Sequence, residues 1–337
     1  MNILAIETSC DETAASVVSS QHQVLSNVIV SQMDIHAAFG GVVPEVASRH
    51  HVTSIQGVIH SALDQAKLKP IDIDVVAVTK GPGLIGALLV GINAAKAFSY
   101  VHNIPLLGVN HLKGHIHAIS LSHTMTYPLV TLLVSGGHTE LIYMPKDGVY
   151  ELLGATKDDA VGEAYDKVAR TLGLGYPGGP LIDQLAAKGT ASYSLPTPMK
   201  DEAGFDFSFS GLKSAVINLI HNETQRGEAI RVEDLCASFQ QTVVDTLVKK
   251  TILAARTYQV KQVAVVGGVS ANLGLRNAIE AYQGEFDVVV PKLEYCTDNA
   301  AMIGAAAFAM IRNHELFDTI ELDGSVHSDI FNQGDFS

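Results

Sequence analysis

One pattern occurs twice in this chain and constrains its fold more than any other feature. A run of small and branched apolar residues meets a short turn of small polar residues, and a second apolar run follows. Residues 2–7 (NILAIE) lead through TSCDET to AASVV, and residues 128–135 (PLVTLLVS) lead through GGHT to ELIYM. Short apolar runs bounded by turn residues read as buried strands, and two joined in this way read as a hairpin. Helix and strand signals then alternate. The first hairpin is followed by a loop (FGGVVPEVASRHH), an amphipathic helix over 51–66, a strand over 73–79, a small-residue helix (ALLVGINAAKAF) and the strand IPLLGVN. Later, KQVAVVGGVSANLGLR reads as strand, glycine turn and helix start, and TDNAAMIGAAAFAMI as a small-residue helix. The expectation is a duplicated α/β architecture: a first lobe over 1–126, a second over 127–320 that includes its insertions and closing helix, and a flexible tail over 321–337.

Composition narrows the function. Of 337 residues, 47% are hydrophobic and 17% charged, so a large core is expected and disorder is excluded. The net charge of −13 rules out an autonomous nucleic-acid grip, which draws on clustered Lys and Arg. A nucleic-acid substrate would need a local basic rim or a partner. Cys10, Cys236 and Cys296 are scattered and odd in number, against a disulfide scaffold. The N-terminus lacks the basic and long apolar regions of a signal peptide, and no run approaches a membrane span, so a cytoplasmic location is expected.

His111 and His115 lie four residues apart in NHLKGHIHA. On a helix, i and i+4 share a face, so two imidazoles there can chelate one metal ion. Leu112 stands where a metalloprotease helix of the HExxH type has its glutamate base, which disfavours that activity. Asp298 offers a third ligand, although Thr-Asp-Asn before an Ala-rich helix also reads as an N-cap; Thr297 could cap and free Asp298. His117 should face away from the pair, and His36, His50 and His51 read as exposed loop histidines. Three glycine turns follow strands: Ser135-Gly136-Gly137-His138, Gly267-Gly268-Val269-Ser270 and Gly81-Pro82-Gly83. Such turns let a backbone approach phosphate oxygens. No P-loop and no GxGxxG after the first strand is present. Asp158 and Asp159 read as the acidic first turn of a helix. Asp166, further along, is the better ligand candidate, and Asp183, closing the rigid loop LGLGYPGGPLID, could accept from sugar hydroxyls.

Together these motifs resemble the tRNA threonylcarbamoyladenosine transferases, the TsaD-type family once described as O-sialoglycoprotein endopeptidases. The resemblance runs through IETSCDET (6–13), GGVVPE (40–45), GPGLIGALLVG (81–91), NHxxxH (110–115), VSGGHT (134–139) and DDAVGEAYDK (158–167). GYPGGP (175–180), FDFSFSGLK (205–213), GGVSAN (267–272) and CTDNAAMIG (296–304) continue it. It implies two related actin-like, sugar-kinase-like lobes (the ASKHA, ribonuclease-H-like fold) with a nucleotide cleft between them. It places one divalent metal, Fe(II) ahead of Zn(II), on His111, His115 and Asp298. Substrate positions map to Val134, Ser135, Gly136, Gly137, His138, Asp166, Gly179, Asp183 and Asn272, the last of which the residues alone do not single out. The implied reaction moves threonylcarbamoyl from threonylcarbamoyl-AMP to N6 of the adenosine 3′ to the tRNA anticodon, with Asp11 as catalytic candidate. Its implied partners are a shortened paralogue in a heterodimer and a small ATPase. The rival readings are an actin-like small-molecule kinase and a non-catalytic scaffold paralogue.

Overall fold

The computed structural model describes residues 1–20, 22–199 and 204–331, and the chain separates into two compact units. The first holds Met1–Met125, Asp147–Val149 and the chain from Pro291 onward; the second holds Thr126–Lys146 and Tyr150–Val290. In the first, β1 (Asn2–Glu7), β2 (Glu12–Ser19) and β3 (Val24–Ser31) form an antiparallel meander. A short helix α1 (Met33–Ala37) precedes α2 (Pro44–Ala66), β4 (Val75–Gly81), α3 (Ile85–His102), β5 (Leu106–Asn110) and α4 (His111–His117). β4 runs parallel to β1 and β5 parallel to β4, giving the order β3-β2-β1-β4-β5. The central strands β1 and β4 are buried at nearly every position and mostly apolar, because both faces of the sheet are covered. Successive side chains of a strand point to opposite faces. Leu4 and Ile6 accordingly pack with Leu88 and Ile92 of α3, while Ile3 and Ala5 join a separate cluster.

α2 begins at Pro44 rather than at 51, with proline in the first turn, where its missing N–H costs no helical bond. That extension puts His50, half-buried, and His51 on the helix, correcting the reading of both as exposed loop histidines. His51 is buried on α2, with Nδ1 2.8 Å from Thr13 Oγ1 and Nε2 2.9 Å from the Cys10 carbonyl. His36 is buried too, 3.2 Å from Gln32 Oε1.

In the second unit β6 (Leu129–Val134), β7 (Thr139–Met144) and β8 (Glu151–Ala155) repeat the antiparallel meander. There follow α5 (Val161–Thr171), α6 (Gly178–Ala186), α7 (Ser210–Arg226), α8 (Val232–Thr257), β9 (Gln262–Val266), α9 (Leu273–Glu280) and β10 (Asp287–Val289). β9 lies parallel to β6 and β10 parallel to β9, so the order is β10-β9-β6-β7-β8. Three meander strands followed by two parallel ones is the same connectivity as in the first sheet. Asp158 and Asp159 precede α5 instead of forming its first turn. Asp158 accepts from the Phe209 and Ser210 amides at 2.7 and 3.1 Å, tying the start of α7 to this loop.

α10 (Ala300–Arg312) belongs to the first unit, not to the second as expected. It packs its alanines with Ile3, Ala5 and Val18, and a Cβ on Gly304 would lie 2.7 Å from a Val18 methyl. Only a glycine lets helix and sheet approach this closely. Residues 321–331 also pack down: Leu322 and Ile330 are buried, and the Ser325 amide donates to the Lys80 carbonyl at 2.8 Å. The rest of the expected flexible tail, 332–337, lies outside the described residues. Among the described residues no helix is long and apolar enough to cross a membrane.

Candidate functional site

β5 delivers the chain to α4, whose first residue is His111. Asn110 caps that helix, accepting from the Leu112 amide at 2.8 Å, and its own amide nitrogen donates to the Ser328 carbonyl at 2.8 Å. The helix is short and almost wholly buried, so its orientation is fixed by packing; a Cβ on Gly114 would meet Ile303 of α10 at 2.8 Å. His111 and His115 fall on one face, with ring centroids 4.7 Å apart and an interplanar angle of 84°. Asp298, just before α10, completes the group: its Oδ1 is 3.5 Å from His111 Nε2 and 3.2 Å from His115 Nε2. One ligand atom from each of the three lies within 4.8 Å of the others. The conflict between capping and ligation at Asp298 is resolved by neither residue first considered. Asn299 caps α10, accepting from the Met302 amide at 3.0 Å, and leaves the Asp298 carboxylate to the histidines.

A carboxylate missed in the sequence stands behind His111. Glu7, at the end of β1 and fully buried, lies 3.0 Å from His111 Nδ1. Its other bonds come from the Thr79 hydroxyl at 2.6 Å and the Ser9 amide at 2.5 Å. Burial opposes ionisation of Glu7 and Asp298, but His111 beside both carboxylates outweighs it and holds them below their usual range. Burial likewise opposes charge on His111, and Asp298 and Glu7 override it, raising the imidazole well above its ordinary value. The field here therefore favours positive charge. His115 is 1% exposed; its Nε2 meets only the Asp298 carboxylate, at 3.2 Å, and its Nδ1 has no hydrogen-bonding partner among the described residues. Leaving such a group unsatisfied costs about 1–3 kcal/mol. Two imidazole nitrogens and one carboxylate fit a borderline divalent ion of the Fe(II) or Zn(II) type. His117, as expected, is not in the group.

Asp11 closes the turn that carries Ser9 and Cys10, and Glu12 opens β2. Burial, then the nearby Asp298 and Asp11 charges, push the Glu12 carboxyl up to about 10. The Gly81-Pro82-Gly83 turn is not an open cradle, because a Cβ on Gly83 would lie 2.6 Å from the Ser9 carbonyl.

The remaining candidates lie in the second unit, in two connected groups. Val134 ends β6, and Ser135 to His138 form the turn into β7, closed by the Ser135 amide donating to the His138 carbonyl at 2.8 Å. A Cβ at Gly136, Gly137, Gly179 or Gly268 meets no atom within 4 Å, so these backbones are open to approach. Asp166 on α5 accepts from the Gly178 amide at 2.7 Å at the start of α6. Burial raises its carboxyl, with the Gly178 and Gly179 amides opposing. Asp183 on α6 and Asn272 before α9 are joined through Gln240 of α8, at 2.9 and 2.8 Å. Gln240 carries no motif and could not have been picked from sequence.

A family model described as TsaD, tRNA N6-adenosine threonylcarbamoyltransferase, matches residues 23–305. A protein of that name from Halalkalibacterium halodurans is 56% identical over 324 residues, covering 96% of this chain and 94% of its own length. One from Bacillus subtilis is 57% identical over 309 residues, covering 91% and 89%. Among solved structures, HypF of T. kodakarensis superposes with a TM-score of 0.62 at 14% identity, over 93% of this chain and 48% of that one. Component A of the Acidaminococcus fermentans (R)-2-hydroxyglutaryl-CoA dehydratase gives 0.57 at 17% identity, over 94% and 100%. At these identities the structural matches establish a shared fold, the actin-like α/β architecture expected from the sequence.

Proposed function

Because the chain belongs to the tRNA N6-adenosine threonylcarbamoyltransferase family, it is a transferase that modifies tRNA, and we propose the finer reaction as follows. A threonylcarbamoyl group passes from threonylcarbamoyl-AMP to N6 of the adenosine 3′-adjacent to the anticodon in tRNAs reading ANN codons. The products are t6A and AMP. We assign one divalent ion, Fe(II) ahead of Zn(II), to His111, His115 and Asp298. The observation that supports this assignment is the convergence of the buried His111 and His115 Nε2 atoms on one Asp298 oxygen, with His115 Nδ1 left without a partner among the described residues. When bound, such an ion polarises a carbonyl or phosphoryl oxygen as a Lewis acid.

The chain's own groups have separate tasks. Glu7 holds the His111 proton at Nδ1, so that the proton an ion would displace is the one on Nε2, the nitrogen that faces Asp298. An exocyclic adenine amine is a weak nucleophile, so its positioning must supply much of the rate. Asp11 is the group we assign to orient that amine or take its proton. The open backbone of Ser135 to His138 suits the adenylate phosphate or acyl group, alongside Val134, Asp166 and Gly179. Asp183 and Asn272 suit the ribose hydroxyls. With a net charge of −13, tRNA capture falls to partners, a shortened paralogue and a small ATPase, in the cytoplasm.

The test is to incubate the full chain with threonylcarbamoyl-AMP and unmodified tRNA, with and without those partners, and to quantify nucleosides by mass spectrometry. The expected result is t6A with one AMP released per modification. AMP release without t6A in the complete mixture would overturn the reading.

A further inference from the structure

Asp183, Gln240 and Asn272 form one continuous hydrogen-bonded chain across three helices of the second unit. Gln240 sits within α8, only 9% exposed. Its Nε2 donates to Asp183 Oδ1 at 2.9 Å, and its Oε1 accepts from Asn272 Nδ2 at 2.8 Å. The outer ends are tied as well. Asp183 Oδ2 accepts from the Leu273 amide at 3.0 Å, and Asn272 Oδ1 accepts from the Leu275 amide at 2.8 Å, capping α9.

Chemistry allows this chain only one direction. An ionised carboxylate can only accept, so Gln240 must turn its amino group to Asp183 and its carbonyl to Asn272. Asn272 must then present its own amino group to Gln240. Each Asp183 oxygen keeps a free lone pair, and Asn272 keeps one N–H. Gly274 holds the middle in place: a Cβ there would lie 2.6 Å from Gln240 Nε2 and 3.3 Å from Asn272 Oδ1. The first turn of α9 thus closes over the Gln240 amide, and any side chain at 274 would push that amide out of its bonded position.

We propose that Gln240 is a positioning residue for ribose recognition. It touches no substrate itself; it fixes the Asp183 carboxylate and the Asn272 carboxamide in the one orientation that offers an acceptor and a donor to a vicinal diol. Side chains already ordered in the free protein lose less entropy on binding, so pre-organisation appears as affinity. The inference rests on the assignment of Asp183 and Asn272 to the ribose made above.

The test uses calorimetric titration of the full chain with AMP and with 2′,3′-dideoxy-AMP, for the wild type, Gln240→Leu, Gly274→Ala and Asp183→Ala. Gln240→Leu strands polar partners and so puts folding at risk. Gly274→Ala removes no polar group, and the atom it displaces is the far end of a flexible side chain, so the fold survives. Both variants are expected to weaken AMP binding roughly tenfold while leaving dideoxy-AMP binding unchanged, because that ligand lacks the hydroxyls concerned. Equal losses for both ligands would mean general loosening of the helices and would overturn the proposal. So would wild-type AMP affinity in both variants while Asp183→Ala loses it. If Asp183→Ala itself binds AMP normally, the ribose assignment fails and the inference falls with it.

Discussion

Glu7 makes no contact of its own with the proposed ion, yet it decides how His111 can serve it. Replacing it by glutamine keeps the shape but removes the charge that holds the Nδ1 proton. Glu7→Gln should weaken metal affinity by roughly 10–100-fold, read by competition with a chromogenic chelator, with the circular dichroism spectrum unchanged. The double variant His111→Ala, His115→Ala should purify folded and without stoichiometric metal by elemental analysis; stoichiometric metal in it would rule the site out. Gly136→Val should keep wild-type thermal stability, since its side chain enters open space, while losing AMP affinity in the same titration. At this scale the sequence exposed the histidine pair because the spacing i,i+4 is itself geometry. Glu7 was hidden because 104 positions separate it from His111, and only the pairing of β1 with β4, and of β4 with β5, brings the two together.

Elements were legible where both faces of a strand are buried and illegible where one is not. β1, β4, β5, β6 and β9 are close to unbroken apolar runs, and each was expected within two residues of its observed limits. β3 and β8 are edge strands with exposed, mixed side chains, and nothing in their residues announces a strand. The start of α2 was misplaced because Gly40, Gly41 and Pro44 all read as loop, although proline is well suited to a first helical turn. Asp158 was read as a local helix charge because its actual partners lie some fifty residues away. Burial raises its carboxyl, but the bonds from the Ser208 hydroxyl and from Ser210 and Phe209 outweigh this, so the folded value lies below the unfolded one. The sign follows: the bonds stabilise the fold at pH values above the unfolded carboxyl range, and acid removes that contribution as the folded carboxylate takes up its proton. Asp158→Asn should therefore cost about 1 kcal/mol near neutral pH, a modest value because the site is exposed. The difference from wild type should shrink once the pH falls below about 4 in denaturant titrations. A pH-independent difference would show that the charge is not what matters.

For the molecule as a whole, the two sheets share one connectivity, and that duplication was visible in the sequence as two hairpins with matching turns. What could not be read was where α10 belongs, because nothing in an alanine-rich helix names its sheet; its placement rests on distant contacts with Ile3, Ala5 and Val18, the last closest at Gly304. The net charge is a whole-molecule property with its own consequence. The isolated chain should bind tRNA weakly and turn over slowly, and both should rise when the paralogue is added at matched salt. Equal turnover by the chain alone, measured as t6A per active site, would show that it needs no partner.

The interleaved chain path also orders events in time. His111 and His115 are made early, but Asp298 lies beyond the entire second unit, 183 residues after His115. At synthesis rates of about 5–20 residues per second, roughly 10–40 s pass on the ribosome between the second proposed ligand and the third. A nascent chain can complete its second sheet while the first still lacks α10 and the carboxylate that precedes it. On the proposed assignment the three-residue site is complete only once residue 298 has been made, and a chain cut short before it lacks one of the three groups assigned to the ion.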